Sequence, residues 1–297
     1  MRTAPMPEPA SWTILELVRW TTGYFGDNGF ENGRGEAEML LAHVLGVRRI
    51  DLYLNHDQPV EMDERRRFKA LIRRRLEGEP AAYIVGTREF WSLELAVNPS
   101  VLIPRPETEC LVEAVLPLLA TETGPPKRVL DMGTGSGAIV LALAHTRPRH
   151  RYMAMDRSMA ALATARDNAR RHGLDGRILW FCGDWEAPLA AGRPFDLIVS
   201  NPPYVRSADI DGLQPEIRDH EPRLALDGSP DGLVCLRRLV AQAQRYLVPG
   251  GLLALEMGFD QAGDVRALAE AAGCYAPPTI IKDYSGHDRV ALLTRSA

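Results

Sequence analysis

The sequence has little of what marks a secreted, membrane-bound or metal-binding protein. Its four cysteines, Cys110, Cys182, Cys235 and Cys274, are scattered without metal-type spacing. They read as buried or free thiols in a reducing compartment. No uninterrupted apolar run approaches the roughly 20 residues that span a bilayer. The Pro-rich start, Met1 to Ser11, has no apolar signal-peptide core. A cytoplasmic protein with no membrane partner is therefore expected. None of the seven histidines has a motif around it, and no metal is expected. The net charge of −4 carries no global signal for nucleic acid. There is no internal repeat and no low-complexity tract. At 297 residues, the chain is long enough for two modest domains or one large one.

The stretch that organises the rest is Asn201-Pro202-Pro203-Tyr204. It follows the largely apolar run Phe195 to Ser200, which reads as a short buried strand. Open α/β sheets place their ligands just past such strand ends. Each proline fixes its own φ and lacks an N–H. The residue before a proline is pushed out of the helical region, so Asn201 and Pro202 are held extended. The product is a stiff loop that displays carbonyl oxygens, with the Asn201 amide oxygen beside them. Two such acceptors can hold both protons of a planar –NH2 group. Asn-Pro also starts ordinary turns, so the loop alone does not decide the matter.

The first third reads as helices. Ser11 is a candidate cap for a helix from about Trp12 to Phe25. A Gly-rich break at Gly26 to Gly35 precedes a second helix, Glu36 to Leu45, and Arg49 to Leu54 is a short third. Within residues 61–77, Phe68, Leu71, Ile72 and Leu76 share one helical face. The other face carries Arg65, Arg66, Arg67, Lys69, Arg73, Arg74 and Arg75. That face is either simply solvated or a docking patch for an acidic partner or RNA. Gly78-Glu79-Pro80 stops this helix. Leu93, Leu95 and Val97 alternate as in a half-buried strand, and Val101-Leu102-Ile103 is expected to pair with it across an Asn98-Pro99-Ser100 turn. Pro104-Arg105-Pro106-Glu107-Thr108-Glu109 then leads rigidly into a helix ending near Leu119. The organisation expected is a helical domain over 1–85, a β-hairpin linker over 86–105 and an α/β domain over 106–297.

In that last domain, Arg128 to Met132 is a strand that ends in Gly133-Thr134-Gly135-Ser136-Gly137, and a helix follows. Strand, glycine turn and helix bring backbone N–H groups close to a ligand. Further strands end at Asp156, at Asp184-Trp185 and at Asn201. Asp156 stands where a ribose hydroxyl pair is usually bound, and Trp185 offers a flat face to an adenine ring. Alternating strands and helices predict a mainly parallel, Rossmann-like sheet with helices on both faces. A final strand pair, near Thr279 to Lys282 and Arg289 to Leu293, suggests an antiparallel addition at one edge. Three functional classes remain open on these residues. Gly133-x-Gly135-x-x-Ala138 also fits a nicotinamide dehydrogenase. A non-catalytic nucleotide-binding adapter would tolerate loss of Asn201. A group-transfer enzyme acting on an amino or amide nitrogen makes use of every feature.

These residues together resemble the S-adenosylmethionine-dependent methyltransferases, and the Asn-Pro-Pro-Tyr loop narrows the resemblance to enzymes that methylate planar nitrogens. Tyr83-Ile84-x-Gly86, Glu89-Phe90-Trp91, Ile103 to Glu109, Glu221-Pro222-x-x-Ala225-Leu226 and Lys282-Asp283 through Val290 look like the HemK/PrmC family, the peptide chain release factor glutamine methyltransferases. The resemblance implies a seven-stranded sheet with S-adenosylmethionine as cofactor. The substrate it implies is the glutamine of a release factor's Gly-Gly-Gln loop, with the basic helix 61–77 as a candidate partner dock. A monomer with no direct nucleic-acid requirement is expected. It places the cofactor at Gly133, Thr134, Gly135, Ser136, Gly137, Asp156, Asp184, Trp185 and Asn201. Asn201, Pro202 and Tyr204 would be catalytic, and Asn201, Pro202, Pro203, Tyr204, Arg105 and Glu107 would meet substrate. A glutamine methyltransferase of a ribosomal protein and an adenine amino-methyltransferase are the nearest alternatives. Asp227-Gly228-Ser229-Pro230-Asp231-Gly232 departs from the family, which more often has a second glycine near Ser229.

Overall fold

The computed structural model of the chain describes residues 11–120, 124–187, 189 and 194–297. The Pro-rich residues 1–10 lie outside that set. The chain divides into two compact units between Gly86 and Thr87.

The first unit is helical: α1 (Ile14–Asp27), α2 (Gly33–Leu45), α3 (Arg49–Leu54), α4 (Met62–Leu76) and α5 (Ala81–Val85). Thr13, not Ser11, caps α1. Its hydroxyl accepts from the Glu16 N–H at 3.3 Å, and the Glu16 carboxylate accepts from the Thr13 N–H at 2.8 Å. This reciprocal pair satisfies two otherwise orphaned donors. Phe68 and Ile72 of α4 join Leu17, Leu40 and Leu41 in the core. The basic face of α4 differs from expectation at one position. Arg75 follows Phe68 and Ile72 on the inner side of the helix and is 3% exposed. Its Nε donates to the Glu36 carboxylate at 2.7 Å, and its guanidinium lies 4.3 Å from the centre of the Phe30 ring. Arg75 is thus a buried ion-pair residue. Arg66, Arg67 and Arg73 remain exposed.

The second unit opens with a hairpin, β1 (Thr87–Phe90) and β2 (Leu93–Ala96), paired antiparallel with Phe90 opposite Leu93. Its turn is therefore Trp91-Ser92, not Asn98-Pro99-Ser100. Trp91 and Ser92 have φ of 53° and 59°, the left-handed pair a two-residue hairpin requires. Neither is a usual residue for that turn. Trp91 is held there by its N–H on Glu109 at 2.7 Å and its indole N–H on Thr146 at 2.9 Å. Val101 to Ile103 is not a strand. Asn98 instead folds the chain back, its side-chain oxygen accepting from the Ser100 N–H at 2.9 Å. The hairpin packs within the second unit. The buried Asn168 side chain exchanges hydrogen bonds with both the N–H and the carbonyl of Ala96.

The sheet follows: α6 (Glu109–Val115), β3 (Arg128–Met132), α7 (Ala138–Thr146), β4 (Arg151–Asp156), α8 (Met159–Arg171), β5 (Ile178–Cys182), β6 (Phe195–Ser200), α9 (Pro215–His220), α10 (Val234–Ala243), β7 (Leu247–Glu256), α11 (Ala262–Ala272), β8 (Thr279–Lys282) and β9 (Asp288–Thr294). Its seven strands run in the order β5-β4-β3-β6-β7-β9-β8. The first five are parallel; β9 pairs antiparallel with β7, and β8 antiparallel with β9, so that β9 alone runs against the rest. β7 starts at Leu247 and runs through Pro249-Gly250-Gly251. β3 and β6 are buried on both faces, as a sheet covered on both sides demands. Val129, Leu197 and Val199 point into one core and Leu130, Met132 and Ile198 into the other. From β3 the chain winds to β4 and β5 on one side, then returns to place β6 and β7 on the other. The crevice past the C-terminal ends of β3 and β6 is the switch point where such sheets bind ligands.

Candidate active site

That crevice holds a cavity of about 810 Å³, within the range of small-molecule sites. The glycine turn after β3 and the Pro-Pro loop after β6 form its floor. They are tied together by the Ser200 hydroxyl, which donates to the Met132 carbonyl at 2.6 Å. Gly133, Gly135 and Gly137 all have positive φ. Only at Gly137 is the space for a side chain also tight, since an added Cβ would sit 3.1 Å from Leu141 Cδ1 and 3.2 Å from Ala165 Cβ. At Gly135, by contrast, an added Cβ would meet nothing within 4 Å: the space beside this backbone is open. The Gly135 N–H donates to Asp156 Oδ2 at 2.9 Å, and Asp156 Oδ1 accepts from the Ser158 N–H at 2.9 Å. Asp156 thus fastens the turn and starts α8, with lone pairs left for a ligand. Asn168, invisible to motif reading, braces the same turn by donating to the Ser136 carbonyl at 2.9 Å.

Beneath the turn lies Asp131, fully buried. Its Oδ2 accepts from the Thr134 hydroxyl at 2.7 Å. Its Oδ1 has no well-formed hydrogen bond among the described residues. Burial pushes its carboxyl up to about 7, against the opposing pull of the Thr134 hydroxyl and of the Val140 N–H.

The far wall carries Asp184 and Trp185. Arg238 of α10 pins this segment through Asp184 at 3.1 Å and Glu186 at 3.1 Å. The Trp185 ring passes 4.0 Å from where a Gly133 Cβ would stand. The near wall is the chain from Ser100 to Thr108, which the sequence had suggested as part of a hairpin. Here Arg105 Nη2 donates to Glu221 Oε1 at 2.5 Å, and the buried Glu221 also accepts from the Ile103 N–H at 3.0 Å. Arg105 is thereby aimed along the cavity wall, and Glu221 is a positioning residue that only its motif hinted at.

Around the Pro-Pro loop, Asn201 and Pro203 line the cavity, whereas Pro202 is buried and Tyr204 turns inward. The Tyr204 hydroxyl donates to Glu256 Oε1 at 3.1 Å, and burial raises the phenol above its ordinary range. Gln261 donates to the Tyr204 carbonyl at 3.1 Å. Among the described residues no hydrogen-bond donor reaches Asn201 Oδ1 or the Pro202 carbonyl. Of the residues singled out from the sequence, Arg105, Gly133, Thr134, Gly135, Ser136, Asp156, Asp184, Trp185, Asn201 and Pro203 line the one cavity. Gly137, Glu107, Pro202 and Tyr204 stand behind or beside it. Pro202 offers its backbone carbonyl, and the Tyr204 side chain supports the loop from within.

Two family profiles match the chain, the PrmC N-terminal domain over residues 16–86 and the methyltransferase small domain over residues 108–229. A release factor glutamine methyltransferase of Geobacter sulfurreducens is 44% identical, covering 95% of this chain and 97% of its own. The protein of the same name from Moorella thermoacetica is 46% identical, covering 90% and 93%. The chain belongs to the release factor glutamine methyltransferase family. Solved structures share its fold: a methyltransferase from Pyrococcus furiosus, with TM-score 0.50 and 20% identity, covers 69% of this chain and 89% of its own. The human methyltransferase 10 domain containing protein, with TM-score 0.52 and 16% identity, covers 70% and 90%.

Ser229, in the segment that departs from the resemblance noted in the sequence, has φ of 75°. That conformation costs a residue with a side chain about 1 kcal/mol or more. Ser229 is held in it by Asp227, whose Oδ1 accepts both the Ser229 N–H at 2.9 Å and the Ser207 hydroxyl at 2.6 Å. These donors keep the Asp227 carboxyl below its usual range. Among the described residues no cluster of His, Cys, Asp and Glu could hold a metal, and no helix is long and apolar enough to cross a membrane.

Proposed function

We propose that this protein transfers a methyl group from S-adenosylmethionine to the side-chain amide nitrogen of the glutamine in a release factor's Gly-Gly-Gln loop. The observation that carries the reading is the unengaged amide oxygen of Asn201 on the lining of a cavity whose opposite side suits an adenosyl group, with the Pro202 carbonyl, likewise unengaged, next to it in the chain. The fit to the cofactor rests on open space at Gly135, a carboxylate at Asp156 and the flat face of Trp185. Gly133 to Ser136 would lie along its methionine part, Asp156 would accept from its ribose hydroxyls, and Trp185, with Asp184 beside it, would meet the adenine. When bound, S-adenosylmethionine supplies an electrophilic methyl on a positively charged sulfur.

The residues of the chain do the rest by position. An amide nitrogen is a weak nucleophile because its lone pair is shared with the carbonyl. Asn201 Oδ1 and the Pro202 carbonyl would each accept one N–H of the substrate carboxamide, fixing its plane and directing the nitrogen. Such orientation can replace a large part of the barrier otherwise lost to random encounter. The same acceptors stabilise positive charge as it grows on nitrogen. The proton leaves afterwards to water, since among the described residues no side chain at the loop is placed as a general base. Pro203 would flank the carboxamide, and Arg105, aimed by Glu221, would meet the glutamine-bearing loop at the cavity mouth, with Glu107 beside it. The exposed arginines of α4 would dock an acidic region of the release factor. A cytoplasmic site of action follows from such a partner.

The test is incubation of a release factor with the protein and labelled S-adenosylmethionine, followed by peptide mass spectrometry. Label on the loop glutamine is expected with the wild-type chain, and Asn201→Ala should retain cofactor binding while losing roughly 100-fold in turnover. Label found instead on nucleic acid, or near-normal turnover by the variant, removes the reading.

A further inference from the structure

The amide of Asn201 is useful in one orientation only: oxygen toward substrate, –NH2 away from it. We propose that Thr108 and Glu256 are positioning residues that set this orientation, an inference that rests on the function proposed above. Asn201 Nδ2 lies 3.2 Å from the Thr108 hydroxyl. That hydroxyl lies 2.6 Å from Glu256 Oε2, and the Tyr204 hydroxyl lies 3.1 Å from Glu256 Oε1. Thr108 and Glu256 are 4% and 1% exposed, so water does not compete at these contacts.

The polarity of the chain of contacts follows from counting protons. An ionised carboxylate has acceptors only. Burial raises the Glu256 carboxyl above its ordinary range, yet the Thr108 and Tyr204 hydroxyls both donate to it, as they do to an ionised carboxylate. A threonine hydroxyl has one proton, and once that is given to Glu256 only lone pairs face Asn201. Lone pairs accept from an amide –NH2 and repel an amide oxygen. Asn201 is thus held with its –NH2 on Thr108 and its oxygen toward the cavity. The direction of the Asn201 dipole is decided two residues away, at the end of β7. Tyr204 completes the arrangement by occupying the second carboxylate oxygen, which links the far end of the Pro-Pro loop to the same anchor.

The arrangement also explains a location. Thr108 closes the Pro-Arg-Pro-Glu-Thr segment, and Glu256 ends the strand beside β6. Two segments 148 residues apart converge on one side chain that otherwise has rotational freedom. Packing alone would be served by any apolar pair; a buried carboxylate and hydroxyl are needed only if polarity matters.

Thr108→Val keeps the branched shape and removes the hydroxyl, and Thr108→Ser keeps the hydroxyl and removes a methyl. Turnover of a release factor should fall about tenfold or more in Thr108→Val, the scale of losing one oriented hydrogen bond. Its KM for the release factor should stay within about twofold, because the effect is on orientation. Thr108→Ser should remain within about twofold of wild type. Combining Thr108→Val with Asn201→Ala should be no worse than Asn201→Ala alone, since both act through one amide. The rise in melting temperature on adding S-adenosylhomocysteine shows whether each variant is folded with an intact cofactor site. If Thr108→Val fails that check, Glu256→Gln decides. Its amide cannot accept at both positions, so kcat should drop at unchanged KM, and wild-type kcat there overturns the inference. Wild-type kcat in Thr108→Val, or equal damage in Thr108→Ser, also overturns it. In either case a slow Asn201→Ala leaves the proposed function standing, whereas a fast Asn201→Ala removes both.

Discussion

Asp131→Asn tests the electrostatics beneath the glycine turn. Asp131 is fully buried, accepts one hydrogen bond from Thr134 and leaves its other oxygen without a well-formed one. Its carboxyl is raised from an ordinary 3.8 to about 7, first by burial. A folded-state value above the unfolded one means that the native state holds the proton more tightly. Stability is therefore fully present below about pH 4 and is lost as pH rises to about 7, beyond which the loss is complete. At about 1.4 kcal/mol per pH unit, ionising this side chain costs the second unit roughly 4 kcal/mol. Asparagine has the same shape and does not titrate. Its oxygen can accept from Thr134, while its –NH2 lands where no acceptor stands, at a cost of about 1–3 kcal/mol. The variant should therefore be the less stable protein at pH 4, where the wild type has lost little, and the more stable at pH 8. Urea denaturation of both proteins at the two pH values reads this directly. Parallel stability profiles, with the variant offset by a constant amount, would refute the assignment of the pH dependence to Asp131.

Three further outcomes are expected. Gly135→Ala should fold with a stability loss of about 1–2 kcal/mol from its φ of 56°, yet its methyl would project into open cavity. Calorimetry should show S-adenosylhomocysteine affinity down at least tenfold, and unchanged affinity would move the cofactor off this turn. Reversal of Arg66, Arg67 and Arg73 to Glu should raise KM for a whole release factor and spare a short Gly-Gly-Gln peptide; equal effects on both would return α4 to a solvated face. Ser229→Gly should raise stability by about 0.5–1 kcal/mol by relieving a left-handed conformation, read as a higher urea midpoint at unchanged slope.

The contrast between α4 and the hairpin shows what kind of information each level holds. Phe68 and Ile72 announce their buried face because helical periodicity is local, and the helix is where the pattern puts it. The same stretch cannot say that Arg75 is buried, because its partner Glu36 lies on another helix. Asn98-Pro99-Ser100 is a turn by every local rule and does turn the chain, but the hairpin strands reverse at Trp91-Ser92. That reversal is sustained by Glu109 and Thr146, residues remote in sequence that supply bonds a local rule cannot count.

The candidate site divides in the same way. The strand ends carrying Gly133 to Gly137, Asp156, Trp185 and Asn201 are legible in the chain, because apolar runs, glycines and prolines act on their own neighbourhood. Parallel topology then brings those strand ends to one edge. What only the tertiary structure decides is how each group is aimed. Glu221 fixes Arg105, Asn168 braces the turn, and Thr108 with Glu256 orients the Asn201 amide, all across gaps of many residues. Backbone preference is a short-range property that composition and spacing reveal. The direction of a polar side chain depends on the donors and acceptors facing it, and in a folded chain those come from anywhere.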